Sequence, residues 1–274
     1  MATVAHTAPT PAKISTPGIL LPSYSLWLRE IVRFFRQRAR VVGVIASPLL
    51  FWLLLGSGFA HNFRTGSSDS SQSFGFYFPG SVALIVLFTS IFSMMSLIQD
   101  RNEGFLLSVL AAPVSRSAIV LGKVLGGTTL AAVQGVVLLV FAPLIGVHMT
   151  VETVGLAVLV TLLMSFELTA LGFAIAWPMD SPQAFHAVVN LILLPLWMLS
   201  GSLFPASGSS GWLRLVMHLN PLTYGVDALR NALFPATPTD FPLSVNLAVT
   251  VGFCLLSFGT SWAIVNRRTN KPAA

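Results

Sequence analysis

The chain has 274 residues, 54% of them hydrophobic and only 9% charged, with a mean hydropathy of +0.81. Soluble domains carry about 25% charged residues, so an ordinary soluble fold is excluded and the length is better counted in membrane spans of about 20 residues each. A net charge of +6 would suit nucleic acid in a soluble protein, but here the charges cluster at the ends of apolar runs, as membrane topology demands.

In chain order, residues 1–22 are rich in Ala, Thr, Pro and Ser, with one Lys and no apolar stretch. They lack the pattern of a secretory signal and read as a disordered cytosolic tail. Residues 23–40 form an amphipathic helix pattern. Tyr24, Trp27, Leu28, Ile31, Phe34 and Phe35 follow i, i+3, i+4, i+7 spacing, with Arg29, Arg33, Arg36, Gln37 and Arg40 on the other side. An aromatic face opposite a basic one suits a helix lying in the headgroup layer, its arginines on anionic lipid. The same pattern also suits a solvated helix packed on a partner domain.

Six apolar runs follow, near 41–60, 78–98, 118–146, 152–177, 185–204 and 242–265. Each is long enough to cross a bilayer as a helix, which satisfies every backbone group internally. Pro48 and Pro195 predict kinks in the first and fifth. With an even number of spans both termini share one side. Placing them in the cytosol leaves twelve of the fifteen Lys and Arg inside and only Arg64, Arg214 and Arg230 outside, a bias that fixes the orientation by the positive-inside rule. The expected fold is therefore an all-α integral membrane protein. It has a tail (1–22), an interface helix (23–40), a six-span domain (41–268) and a second cytosolic tail (269–274).

The segment 99–123, QDRNEGFLLSVLAAPVSRSAIVLGK, is a polar interruption between the second and third runs, and so cytosolic. Asp100, Arg101, Glu103 and Gly104 crowd its start, Phe105, Leu106, Leu107, Val109 and Leu110 form a short amphipathic helix, and Pro113 ends it. On the outer side, residues 205–241 hold two helical patterns too short to span. Trp212, Leu215, Val216 and Leu219 line a face of the first. Asn220-Pro221 then reads as an N-cap with Pro in the first turn, and the second pattern runs to Phe234. Short apolar helices here are interfacial or re-entrant, and Tyr224, Asp227 and Arg230 are the polar groups placed to act as an outer gate.

No catalytic constellation is present. There is no H-E-x-x-H, no G-x-S-x-G and no Cys/His cluster to hold a metal, and the single Cys254 lies in an apolar run. Gly122-Lys123 lacks the upstream glycine of a phosphate loop, so the chain does not bind ATP in that way. Glu167, inside the fourth run, is the costliest residue for a membrane. It fits a proton carrier, a substrate contact, or a neutral carboxyl joined to a neighbouring helix through Gln134.

Two segments together resemble the membrane subunit of type-2 ABC exporters. The first is Glu103-Gly104-Phe105-Leu106, then Ala112-Pro113-Val114-Ser115-Arg116, then Leu121-Gly122-Lys123. The second is LSGSLFP (199–205) with NPLTYGVDALR (220–230). The resemblance covers about 23–268, in particular to drug-resistance and nodulation-factor exporter permeases. The chain departs from the family pattern at Ser108, often acidic, and at Gly211, often Pro. The resemblance implies two copies lining a pathway in the cell membrane, each resting on a separate ATPase subunit that holds the ATP and Mg. Glu103, Gly104, Phe105, Leu106 and Arg116, with Trp27, Arg29, Arg33, Phe34 and Arg36 of the interface helix, would meet that ATPase. This chain itself would bind no cofactor and catalyse no reaction. The alternative is a proton-coupled drug transporter using Glu167, although no internal repeat of the kind such transporters use is visible.

Overall fold

A computed structural model of the chain describes residues 18–36, positions 42, 46, 50, 53 and 54, and residues 70–205, 208–235 and 239–267. In chain order the helices are α1 (Leu20–Arg36), α2 (Ser70–Ser93), α3 (Met95–Asn102), α4 (Phe105–Ala111), α5 (Arg116–Leu139), α6 (Val151–Ala176), α7 (Pro182–Trp197), α8 (Gly211–Leu219), α9 (Pro221–Leu233) and α10 (Leu243–Asn266). No strand occurs among the described residues.

Local chemistry sets several boundaries. The side chains of Ser115, Thr150, Ser181 and Asn220 accept from the backbone N–H groups of Ala118, Thr153, Ala184 and Leu222, capping α5, α6, α7 and α9. Pro182 and Pro221 follow in first turns, where a missing N–H costs nothing. The disturbance expected at Pro195 falls just beyond it. The helix opens into a π turn at Met198–Ser202, inside which Gly201 takes a left-handed φ of 76°. Pro48 lies outside the described residues.

Five segments are long and apolar enough to cross a membrane: Gly75–Asn102 (α2 with α3), Arg116–Leu139, Val151–Ala176, Pro182–Ser202 and Leu243–Asn266. They fall on the second to sixth expected runs. Of the first run, 41–60, only five positions are described, and both expected tails lie largely outside the described residues. The tail before α1 is shorter than expected, because the helix already starts at Leu20.

α2 is buried over most of its length, whereas α7 and α10 present most of theirs outward. α5 packs against α1, α2 and α6, and α6 against α2, α9 and α10. The apolar core includes Leu87, Ile91, Leu97, Ile119, Val124, Met164, Leu168 and Phe173. Hydroxyls tie the helices together where no water competes: Ser90 Oγ donates to the Ser165 carbonyl (3.2 Å) and Ser261 Oγ to that of Ala170 (2.7 Å). α1 lies close on α5, where a Cβ added at Gly122 would stand 2.7 Å from the Ser23 carbonyl oxygen and one at Gly126 2.8 Å from Glu30 Cβ.

The bundle has two distinct ends. At one, Arg101 donates to the Trp177 and Met179 carbonyls, Arg116 to that of Val265, and Trp262 Nε1 to Ser117. That end gathers α1, α4, the α6–α7 connection and the end of α10. At the other lie the turn after α5, α8, α9 and the start of α10.

Candidate functional site

The first end holds a buried ionic network assembled from three helices. α1 supplies Arg29, Glu30 and Arg33, the last turns of α3 supply Ser96, Gln99 and Asp100, and α5 supplies Lys123. Arg29 grips Asp100 bidentately, at 2.8 and 2.7 Å. Arg33 donates to Asp100 Oδ1 at 2.9 Å and to Gln99 Oε1 at 2.9 Å. Lys123 Nζ bonds Glu30 Oε1 at 2.6 Å, Ser96 Oγ at 3.2 Å and also Asp100. Asp100 is 0% exposed and Lys123 1%, so neither tolerates being left alone. The Asp100 hydrogen bond, outweighing burial, raises the Arg29 guanidinium above its usual value.

The connection between α3 and α5 is fastened to this network. Gly104, with φ 76°, makes the left-handed break between α3 and α4. The Phe105 ring then lies under the Arg29 guanidinium, 3.7 Å away. Glu103 Oε1 stands 3.6 Å from Arg33. Leu106 is buried, while Leu107 is 65% exposed and Leu110 also faces out. Arg116 bonds the Val265 carbonyl at 3.2 Å. Glu103, Gly104, Phe105, Leu106 and Arg116 are thus at one end, with Glu103 and Phe105 directly against α1.

α1 differs from its expected orientation. Ser23, Leu26, Glu30 and Phe34 form its buried line. Trp27 Nε1 donates to Thr129 Oγ1 at 3.0 Å. Arg29 and Arg33 turn toward Asp100 instead of lying on lipid headgroups, because buried carboxylates at that spot demand counter-charge. Arg36 is exposed. The expected aromatic stripe divides accordingly: Tyr24, Leu28 and Phe35 face out with Leu20, Leu21 and Val32, while Phe34 is buried.

At the opposite end α9 is buried between helices rather than solvated. Asp227 (2% exposed) accepts from Arg230 (7%) at 2.9 Å. Arg230 also donates to the Gly201 carbonyl at 3.0 Å and lies over the Phe76 ring at 4.8 Å. Burial pushes the Asp227 carboxyl up and the Arg230 guanidinium down, each partly opposed by the other's charge. Asn220 Nδ2 reaches the Leu196 carbonyl at 2.6 Å and Thr223 Oγ1 that of Leu199 at 3.4 Å, so α9 is pinned along the opened end of α7. Tyr224 donates to the His218 carbonyl at 2.8 Å. On α8, Trp212, Leu215 and Leu219 remain outward, Trp212 at 70% exposure.

Inside the bundle, Gln134 does not bridge to Glu167 as expected. Its Oε1 accepts from Thr89 Oγ1, and both Glu167 oxygens are buried with no hydrogen-bond partner among the described residues. The described residues contain no cluster of His, Cys, Asp and Glu that could hold a metal.

The family model described as ABC-2 type transporter matches residues 23–234, from the start of the α1 contact with α5 to the end of α9. The chain belongs to the ABC-2 type transporter family. It is 25% identical over 236 residues to ycf38 of Porphyra purpurea, named as a transport permease, covering 85% of this chain and 80% of that one. It is 22% identical over 230 residues to the daunorubicin resistance ABC transporter permease protein DrrB1 of Streptomyces coeruleorubidus, covering 83% and 79%. To nodulation protein J of Neorhizobium galegae it is 23% identical over 255 residues, covering 92% and 95%.

In this ABC-2 permease the motifs read from the sequence mark the two ends of the bundle, and the charges that join α1, α3 and α5 at the first of them were missed. Glu30, Asp100 and Lys123 were each visible only as one charge among others. One signal was available for Glu30: it lies seven residues after Ser23 and four after Leu26, on the line that the helix buries.

Proposed function

We propose that this permease is the membrane subunit of an ATP-driven exporter, docking through α4 and α1 on a separate ATPase subunit and working as a pair of copies. The observation that carries the reading is the Arg29–Phe105 and Arg33–Glu103 contact. It makes α1 and α4 one rigid corner, at which Leu107 and, to a lesser degree, Leu110 are exposed. A hinged ATPase pressing on such a corner moves α3 and α5 with it, since Asp100 and Lys123 join both to α1. The ATP and Mg belong to the ATPase, both termini lie in the cytosol, and the membrane is the cell membrane. The outward faces of α7, α8 and α10 are where lipid or the second copy would lie. Release occurs at the other end, where α9 closes over the opened turn of α7.

Glu103 is more than half exposed, so its ion pair contributes well under about 1 kcal/mol to folding. Glu103→Ala is therefore expected to leave insertion and expression unchanged, while Leu107→Asp places a charge on the docking face. In vesicles holding the permease with its ATPase, both changes should lower ATP-dependent export several-fold, and Leu107→Asp should also reduce co-purification of the ATPase. Wild-type export in both variants would refute the docking surface.

A second reading, proton-coupled transport, is favoured by one observation, the unpartnered buried carboxyl of Glu167. Glu167→Gln separates the two. The exporter reading expects ATP-dependent export to persist, whereas the proton-coupled reading expects transport and its dependence on a proton gradient to vanish together.

A further inference from the structure

The end of the bundle opposite the ionic network contains a cavity of about 600 Å³, between the start of α6, the end of α9 and the start of α10. That volume lies within the range of about 300–1,000 Å³ typical of small-molecule sites. Leu156, Leu233, Phe234 and Leu243 form its apolar wall, and Glu152 and Asn231 are among its polar groups. We propose that this cavity binds a hydrophobic organic cation, an apolar body carrying a protonated amine.

Two observations set the chemistry. Glu152, an exposed residue, is the only formally charged one on the lining, and it has no ion-pair partner among the described residues. The last backbone bond closing α9 runs from Phe234 N–H to the Arg230 carbonyl. The next residue, Pro235, has no N–H to offer the Asn231 carbonyl, so the negative end of the helix dipole is turned toward the cavity.

An anion is the competing ligand, because α6 begins at the same wall and a helix start attracts negative charge. Here the Thr150 side chain already accepts from Thr153 N–H, and Glu152 occupies the first turn. The carboxylate offsets the dipole and repels a second negative group, so the cation wins. The site lies away from the proposed docking corner and needs no ATPase, so it stands or falls independently of the exporter reading.

The test is equilibrium binding to the purified full chain in nanodiscs of neutral lipid, with empty nanodiscs subtracted. Ethidium serves as the cationic probe, followed by fluorescence anisotropy, and anilinonaphthalene sulfonate as the anionic one. Saturable ethidium binding is expected, weakened about tenfold by Glu152→Gln through loss of the charge partner. Leu156→Trp, which fills the cavity, should abolish it. Glu152→Asp and Leu156→Met, which keep charge and wall, should bind within a few-fold of the natural chain. Absence of saturable binding overturns the proposal. So does binding unaffected by both Glu152→Gln and Leu156→Trp, equal loss in the two conservative variants, or competition by the anionic probe.

Discussion

Lys123 is the residue on which most depends, because its ammonium is shared by carboxylates from two other helices. Truncating one member of a buried ion pair typically costs about 3–5 kcal/mol, through the charge it leaves behind. Asp100 would keep two arginines after Lys123→Met, but Glu30 would keep only Arg29, at 3.7 Å. Lys123→Met should therefore lower the melting temperature in detergent sharply, and adding Glu30→Gln should restore much of the loss. A double variant as unstable as the sum of both singles would refute the pairing. The same reasoning applies at the far end to Asp227 and Arg230. Asp227→Ala and Arg230→Ala should each impair export by an order of magnitude while the ATPase still co-purifies, and the double variant should be no worse than either single one. Mild, additive losses would mean that the two side chains act separately.

At the scale of the element, α1 is the instructive case. Its amphipathic period was legible in the sequence, and so was the cap at Asn220, because those are local matters of side-chain type and spacing. Which way α1 faces was not legible. Arg29 and Arg33 look like lipid-binding arginines on any helical wheel, and what turns them inward is Asp100, some seventy residues away in the chain. The same holds for α9, whose Asp227 and Arg230 share a face by spacing alone but are buried by α6, α7 and α10. Close approach fixes α1 on α5 as well. A valine at Gly122 would push into Ser23 and Leu26, backbone and Cβ atoms that have little freedom to shift. Gly122→Val should therefore loosen α1 and expose Trp27, whose indole now donates to Thr129. The expected readout is a red-shifted fluorescence of Trp27 in a background where the other five tryptophans are Phe. An unshifted spectrum would mean that α1 tolerates the wedge.

For the whole molecule, the decisive property is the unequal distribution of basic residues over the two ends. The end with α1 and α4 carries Arg29, Arg33, Arg36, Arg101, Arg116, Lys123 and Arg267, and the opposite end Arg214 and Arg230. Several of the first group are neutralised by Glu30, Asp100 and Asp180, which would weaken the bias if net charge set orientation. The positive-inside rule counts Lys and Arg near span ends, and acidic residues contribute little to it, so the seven-against-two count still supports the proposed cytosolic side for the α1 end. Ala112 lies exposed at that end, after α4, and Ser210 lies exposed at the other, before α8. On a Cys254→Ser background, a cysteine at 210 should react with a membrane-impermeant maleimide in intact cells. A cysteine at 112 should react only after the membrane is opened. Labelling of 112 from outside would invert the molecule, and with it the assignment of α4 as the face that meets an ATPase.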